Sequence, residues 1–139
     1  MKKLLIGLIA LMILTACTDT TRYNYEFTGE SEHWEAKYSY EGIQKWGEDD
    51  GQVTYSNKDS GEFILKYKGT IEELSSMREL EYSYLGVTNQ QSFNESPTKV
   101  IFSSRDGSGG EKLEEDKIIQ VNVKWNDLEE SFQLENNNK

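Results

Sequence analysis

One histidine, one cysteine and 25 carboxylates are the reactive inventory of this 139-residue chain, and their placement limits the chemistry open to it. General acid–base catalysis by His33 needs a partner at hydrogen-bond distance. Its sequence neighbours Glu32 and Glu35 project from a strand to the opposite face or to its edge. His33 is therefore expected as a surface residue ahead of a strand. Cys17 has no second thiol to pair with, and a single histidine with no other cysteine cannot build a His-rich zinc site. There is no Gly-x-Ser-x-Gly elbow to present a nucleophile. Paired acids could hydrolyse a glycoside, but among 25 of them some pair falls at the required separation by chance. No catalytic residue is assigned, and the chain is not expected to be an enzyme. Calcium would need several hard oxygens in one loop. Glu48-Asp49-Asp50-Gly51 and Asp106-Gly107-Ser108-Gly109-Gly110-Glu111 are the two acidic candidates. The second has Glu111 where an EF-hand needs glycine and Lys117 where it needs a bidentate glutamate. No metal site and no cofactor are expected. The one candidate ligand-binding residue is Trp46, in Gln44-Lys45-Trp46-Gly47 beside the first acidic loop. An exposed indole there could stack on a sugar or anchor a protein contact, although core packing at a loop edge is the favoured reading because large aromatics are usually mostly buried.

The first residues carry a different kind of signal. Met1-Lys2-Lys3 is followed by an apolar run over 4–14 and by Thr15-Ala16-Cys17. A run that short does not span a hydrocarbon core of about 30 Å as a helix, so it reads as an export signal. Leu14-Thr15-Ala16-Cys17 resembles the lipobox of bacterial lipoproteins. The resemblance implies cleavage of a signal peptide at 1–16 and acylation of Cys17, which becomes the first mature residue. It also implies a lipid-anchored protein on the extracytoplasmic face of the cell membrane, with that membrane as a partner through the acyl chains on Cys17. Loss of Lys2 and Lys3 leaves 13 Lys+Arg against 25 Asp+Glu, a net charge of −12. That balance argues against nucleic acid. It also repels anionic lipid, so the domain is expected to be held by Cys17 alone.

The elements that position these residues are read from alternation. Tyr23, Tyr25 and Phe27 share one parity, as do Trp34, Ala36, Tyr38 and Tyr40. Val53 with Tyr55, Phe63 to Tyr67, Leu80 to Tyr84, Val100 with Phe102, Ile119 to Trp125, and Phe132 with Leu134 continue the period of two. Trp34 and Trp125 fall within such runs and are expected in the core. The 16 aromatics are its main material, since each brings about 150–250 Å² of burial. Turns are expected at 29–32, 49–51, 57–61 and at Asn126-Asp127, with long exposed loops at 87–97 and 103–116. Thr70 three residues before Glu73 has capping-box spacing, so a short helix is expected over 70–76. The sum is an all-β, antiparallel, immunoglobulin-like sandwich of about seven or eight strands, with an eight-stranded lipocalin-type barrel as the alternative. The expected organisation is a lipidated tether at 17–22, one domain over 23–135 and a disordered tail at 136–139.

Two mature segments carry a second resemblance. Phe27-Thr28-Gly29-Glu30-Ser31-Glu32-His33-Trp34, and Val123-Lys124-Trp125-Asn126-Asp127 with Glu130-Ser131-Phe132, are similar to stretches of small uncharacterised lipoproteins from Bacillus and related Firmicutes. This implies a Gram-positive surface location and supplies no activity. The functional expectation is an interaction module with an envelope protein partner. Small-ligand or glycan binding is the alternative, and hydrolysis ranks last.

Overall fold

A computed structural model describes residues 18–108 and 112–137. The expected signal peptide at 1–16 and Cys17 lie outside them, as do residues 138–139 of the expected tail. The described chain forms eight strands: β1 (Asp19–Glu30), β2 (Trp34–Asp49), β3 (Gln52–Tyr67), β4 (Glu79–Tyr84), β5 (Val87–Ser92), β6 (Ile101–Ser108), β7 (Ile119–Trp125) and β8 (Leu128–Asn136). All neighbouring strands pair antiparallel in the order β5-β4-β7-β8-β1-β2-β3-β6. The all-β antiparallel class and the strand number stand as expected, and both expected architectures describe part of the result. β1, β2, β3 and β6 form one layer and β5, β4, β7 and β8 the other. One continuous sheet folds over on itself, nearly closed into a barrel. The seam between the layers is two residue pairs long, Phe27 with Asn136 and Thr28 with Glu135. The connectivity has its own character. β2 and β3 are one hairpin in one layer, whereas the second and third strands of an immunoglobulin arrangement lie in opposite sheets.

The hairpin turns follow from residues that tolerate the left-handed region. Asp50 and Gly51 both have positive φ (50° and 78°), as do Leu85 and Gly86 (45° and 77°). Two-residue turns of that kind match the twist of the strands they join. Asn126, with φ 53°, begins the expected turn between β7 and β8.

Several boundaries differ from the sequence expectations. Residues 57–61 are not a turn but lie within β3. Gly61 is required there because the Tyr38 ring covers it and a Cβ would overlap that ring. Residues 87–92 and 103–108, expected as loop, are strand. Their polar side chains are tolerated because β5 and β6 are the two ends of the strand order, each paired on one side. β1 begins at Asp19, inside the stretch expected as tether, and β8 runs through Asn136, inside the expected tail. Asn136 is buried, and its Nδ2 donates to the Glu115 carbonyl (3.0 Å). The short helix is a single 3-10 turn, Glu72–Leu74, without a side-chain cap. Glu73 instead accepts a hydrogen bond from the Tyr67 hydroxyl (3.0 Å).

The layers meet through aromatic rings. Phe63 stacks on Tyr84 with centroids 4.2 Å apart, and Trp34 packs edge-on against Trp125 at 5.5 Å. Eleven of the twenty buried apolar residues described are aromatic, so rings rather than aliphatic chains fill the interior. Trp34, Phe63 and Tyr82 are among the largest fully buried side chains. From there β1, β2 and β3 run on past the shorter strands of the second layer and leave one end of the fold open. Among the described residues no helix is long and apolar enough to cross a membrane.

Candidate functional site

At the open end the first layer continues as a three-stranded arm. β8 leaves β1 at Phe27, and β6 joins β3 only from Asp59 onward, yet β2 stays paired with β1 out to Asp19 and with β3 out to its turn. The register through β2 is unbroken, so Trp46 leaves the strand on the same face as Trp34 and Tyr38. No second layer covers it there. Trp46 is 49% exposed, its cross-strand partner Tyr55 is 49% exposed, and Val53 is 77% exposed. The Trp46 and Tyr55 rings lie 4.5 Å apart, and Gln44 Nε2 donates to the Tyr55 hydroxyl (3.1 Å). Trp46 is thus an exposed aromatic, as a ligand-binding residue must be, whereas Trp34 and Trp125 are core. The acidic stretch beside it, at 48–51, is the end of a hairpin.

Between the arm's root and the second layer lies a cleft of about 590 Å³, bordered by Tyr38, Tyr40, Asp59, Asp106, Val87 and Leu113. Its walls are phenols held by carboxylates. The Tyr40 hydroxyl donates to Asp59 (2.5 Å) and the Tyr38 hydroxyl to Asp106 (2.9 Å). Tyr84 donates to the other Asp106 oxygen (3.1 Å) and shares a 2.6 Å hydrogen bond with Ser104. The Tyr23 hydroxyl donates to Asn57 (2.7 Å), and its ring lies over Gly42, where a Cβ would overlap it. Burial first, and then the neighbouring carboxylates, push the Tyr38 and Tyr40 hydroxyls far up; burial raises Tyr84 to about 12. These phenols are neutral donors at any physiological pH. A strap at 112–117 closes one side. The Leu113 N–H donates to the Tyr40 hydroxyl (2.9 Å), and Lys112 Nζ sits 4.6 Å from the Tyr23 ring centre. The Tyr25 hydroxyl keeps that ammonium above its ordinary value, against a smaller opposing effect of burial. The cleft can receive a polar group between aromatic walls, with carboxylates to accept and phenols to orient. Trp46 does not line it.

His33 finds a partner that its sequence neighbours do not supply. It precedes β2, and its Nδ1 lies 2.5 Å from Glu130 Oε2 on β8. Glu130 also accepts from the His33 backbone N–H (2.9 Å) and the Ser31 hydroxyl (2.5 Å). The Glu130 bond holds the imidazole above its ordinary value. Burial works to raise Glu130, but the three donors together hold it below the usual carboxylate range. Ser31 gives its proton to the carboxylate rather than to the imidazole, so this is not a nucleophile–base pair. Glu32, His33 and Glu130 place one potential ligand atom each within 4.8 Å of one another. Two of the three are already bonded together, and the cluster ties β8 to the start of β2. Neither Glu130 nor the pairing of Asp59 and Asp106 with tyrosines was signalled locally. His33 and Glu130 are 97 positions apart. Asp106 stands in β6, where its carboxylate accepts from the Tyr38 and Tyr84 hydroxyls.

No protein-family profile, curated protein or solved structure matches this chain.

Proposed function

We propose that the chain is a lipid-anchored binding module on the outer face of a Gram-positive membrane. It is acylated at Cys17 and engages a protein of the cell envelope through the open-end cleft and the adjoining edge of β3. The observation that carries this reading is the mismatch in layer length, which leaves a concave aromatic and acidic surface beside an unshared strand edge. Among the described residues, β3 at 52–58 pairs with β2 alone. An edge of that kind can accept a partner strand through main-chain hydrogen bonds, with the neighbouring cleft supplying selectivity. Natural sheets usually blunt such edges with charge, yet Lys58 is the sole charged residue in this stretch of an acidic chain.

Photo-crosslinking in cells tests the reading. A photoreactive residue replaces Ser56 or Lys58 on this edge, with Gln91 on the far edge strand β5 as control. Adducts with one envelope protein from positions 56 and 58 and not from 91 are expected. Equal adducts from all three, or none, would overturn it. The cleft volume supports a second reading, a small glycan or other polar ligand, because it lies in the range of small-molecule sites. Chemical-shift changes at Tyr38 and Tyr40 on adding soluble wall fragments would favour that reading.

A further inference from the structure

We infer that the arm tip is a membrane-docking element, with Trp46, Tyr55 and Val53 seated in the lipid headgroup interface. The inference rests on acylation of Cys17 and adds a contact that the anchor alone does not require. β1 starts at Asp19, so Thr18 is the one residue between the acylated position and the sheet. Two residues at full extension span about 7 Å. Asp19 is the register partner of Trp46, and paired Cα atoms lie about 5 Å apart. Whatever conformation Thr18 takes, the Trp46 backbone stays within about 12 Å of Cys17. The acyl chains hold Cys17 at the edge of the hydrocarbon, and the headgroup layer beyond it is about 5–8 Å thick. The arm tip is therefore the membrane-proximal part of the domain.

The side chains at that tip suit this place. Trp and Tyr concentrate at membrane–water interfaces because their rings are apolar with one polar atom. Here a Trp, a Tyr and a three-quarters exposed Val share one face, next to the one point in the fold tethered to lipid. In water this exposed row has no counterpart from the second layer. In the headgroup zone it would be covered. The charges set the lipid preference: Glu48, Asp49 and Asp50 end the hairpin, and Asp19 borders Trp46. Such a tip docks on zwitterionic lipid and is repelled by an anionic surface. The interface, not a free leash, would then fix how the cleft stands over the membrane.

The test uses the purified acylated protein, its Cys17 adduct confirmed by mass spectrometry, in phosphatidylcholine vesicles brominated near the glycerol end of the acyl chains. The signal is the emission difference between the native protein and Trp46→Phe, which isolates Trp46 from buried Trp34 and Trp125. Quenching of that difference by about half is expected for an interfacial indole. It should weaken when phosphatidylglycerol is added and recover at high salt. A vesicle-bound, acylated protein whose Trp46 is quenched by aqueous iodide and not by bromolipid would overturn docking while leaving the anchor intact. Shielding from both quenchers would mean that a second copy or another protein covers the tip, and would also overturn it. Absence of any adduct on Cys17 would remove the anchor and the docking together.

Discussion

Trp34 and Trp46 stand on one strand and one face, twelve residues apart, and meet opposite fates. Around Trp34 the second layer is present: Trp125 and Tyr67 pack edge-on against it, and it is fully buried. Around Trp46 that layer has ended, and a single cross-strand ring remains. β2 and β3 are 16 residues long, whereas β4 and β5 have 6 and β7 has 7. The alternation that builds the core thus persists where no core exists. An aromatic on the inward face is a core residue at one end of the strand and an uncovered surface residue at the other.

The sharpest way to break the comparison is to truncate both indoles. Trp34→Ala should cost about 3–5 kcal/mol in urea denaturation, because neighbouring rings cannot collapse into the cavity. An equal loss from Trp46→Ala would mean that the arm belongs to the core. Gly29→Ala comes next. It lies on β1 at the seam, where a Cβ would overlap the backbone carbonyl of Gln133, so one layer must shift. A cost of about 1–3 kcal/mol is expected, readable as a lower midpoint. Gly42→Ala on the arm should cost less, since the half-buried Tyr23 ring can swing aside.

Asp106→Ala probes the boundary between the two regions. It removes the acceptor of the buried Tyr38 hydroxyl, while Tyr84 keeps Ser104, and should cost about 1–2 kcal/mol. The His33–Glu130 pair, at the opposite end from the arm, should contribute less. The raised histidine contributes fully below its ordinary value of 6.5 and ceases to as pH rises through its folded value. The lowered glutamate contributes above its ordinary value of 4.5 and ceases to as pH falls through its folded value. The contribution is therefore fullest between those two values and declines on either side. His33 is 42% exposed at its side chain, so solvent screening keeps the effect to roughly 1 kcal/mol or less. Melting of His33→Gln across pH 4–9 should show a flatter profile than the native protein. The smallest stability effect belongs to Trp46→Ala, within about 0.5 kcal/mol, since it fills no enclosed space.

Much of the fold was legible because inward positions alternate with a period that survives in the raw sequence. The runs from Trp34 to Tyr40, Phe63 to Tyr67, Leu80 to Tyr84 and Ile119 to Trp125 all became strands with those residues buried. Failures occurred where local chemistry and tertiary need diverge. Asn57 to Gly61 have turn-forming identities, yet they are held straight by a 16-residue partner, with Gly61 serving as room for a ring. β5 and the glycine-bearing end of β6 are too polar to announce themselves, and they are strands because each has one neighbour to bond. Of the candidate sites, the exposure of Trp46 was not legible, because large aromatics are usually buried and only the shorter strands of the second layer leave this one bare. Nor was the cleft, because its carboxylates and phenols come from different strands.

The sequence by itself determined the strand-forming character of the chain, the aromatic nature of its interior and its acidic balance, and it carries the resemblance to a lipobox at Cys17. Each is a property of residue type or of near-neighbour spacing, which needs no knowledge of what lies across the fold. Only the tertiary structure decided where the inward face is covered and where it is bare, and which distant carboxylate meets which hydroxyl or imidazole. It alone placed Trp46 beside Asp19. Those outcomes depend on relative strand lengths and on register between segments far apart in the chain, and a two-residue period carries no information about either.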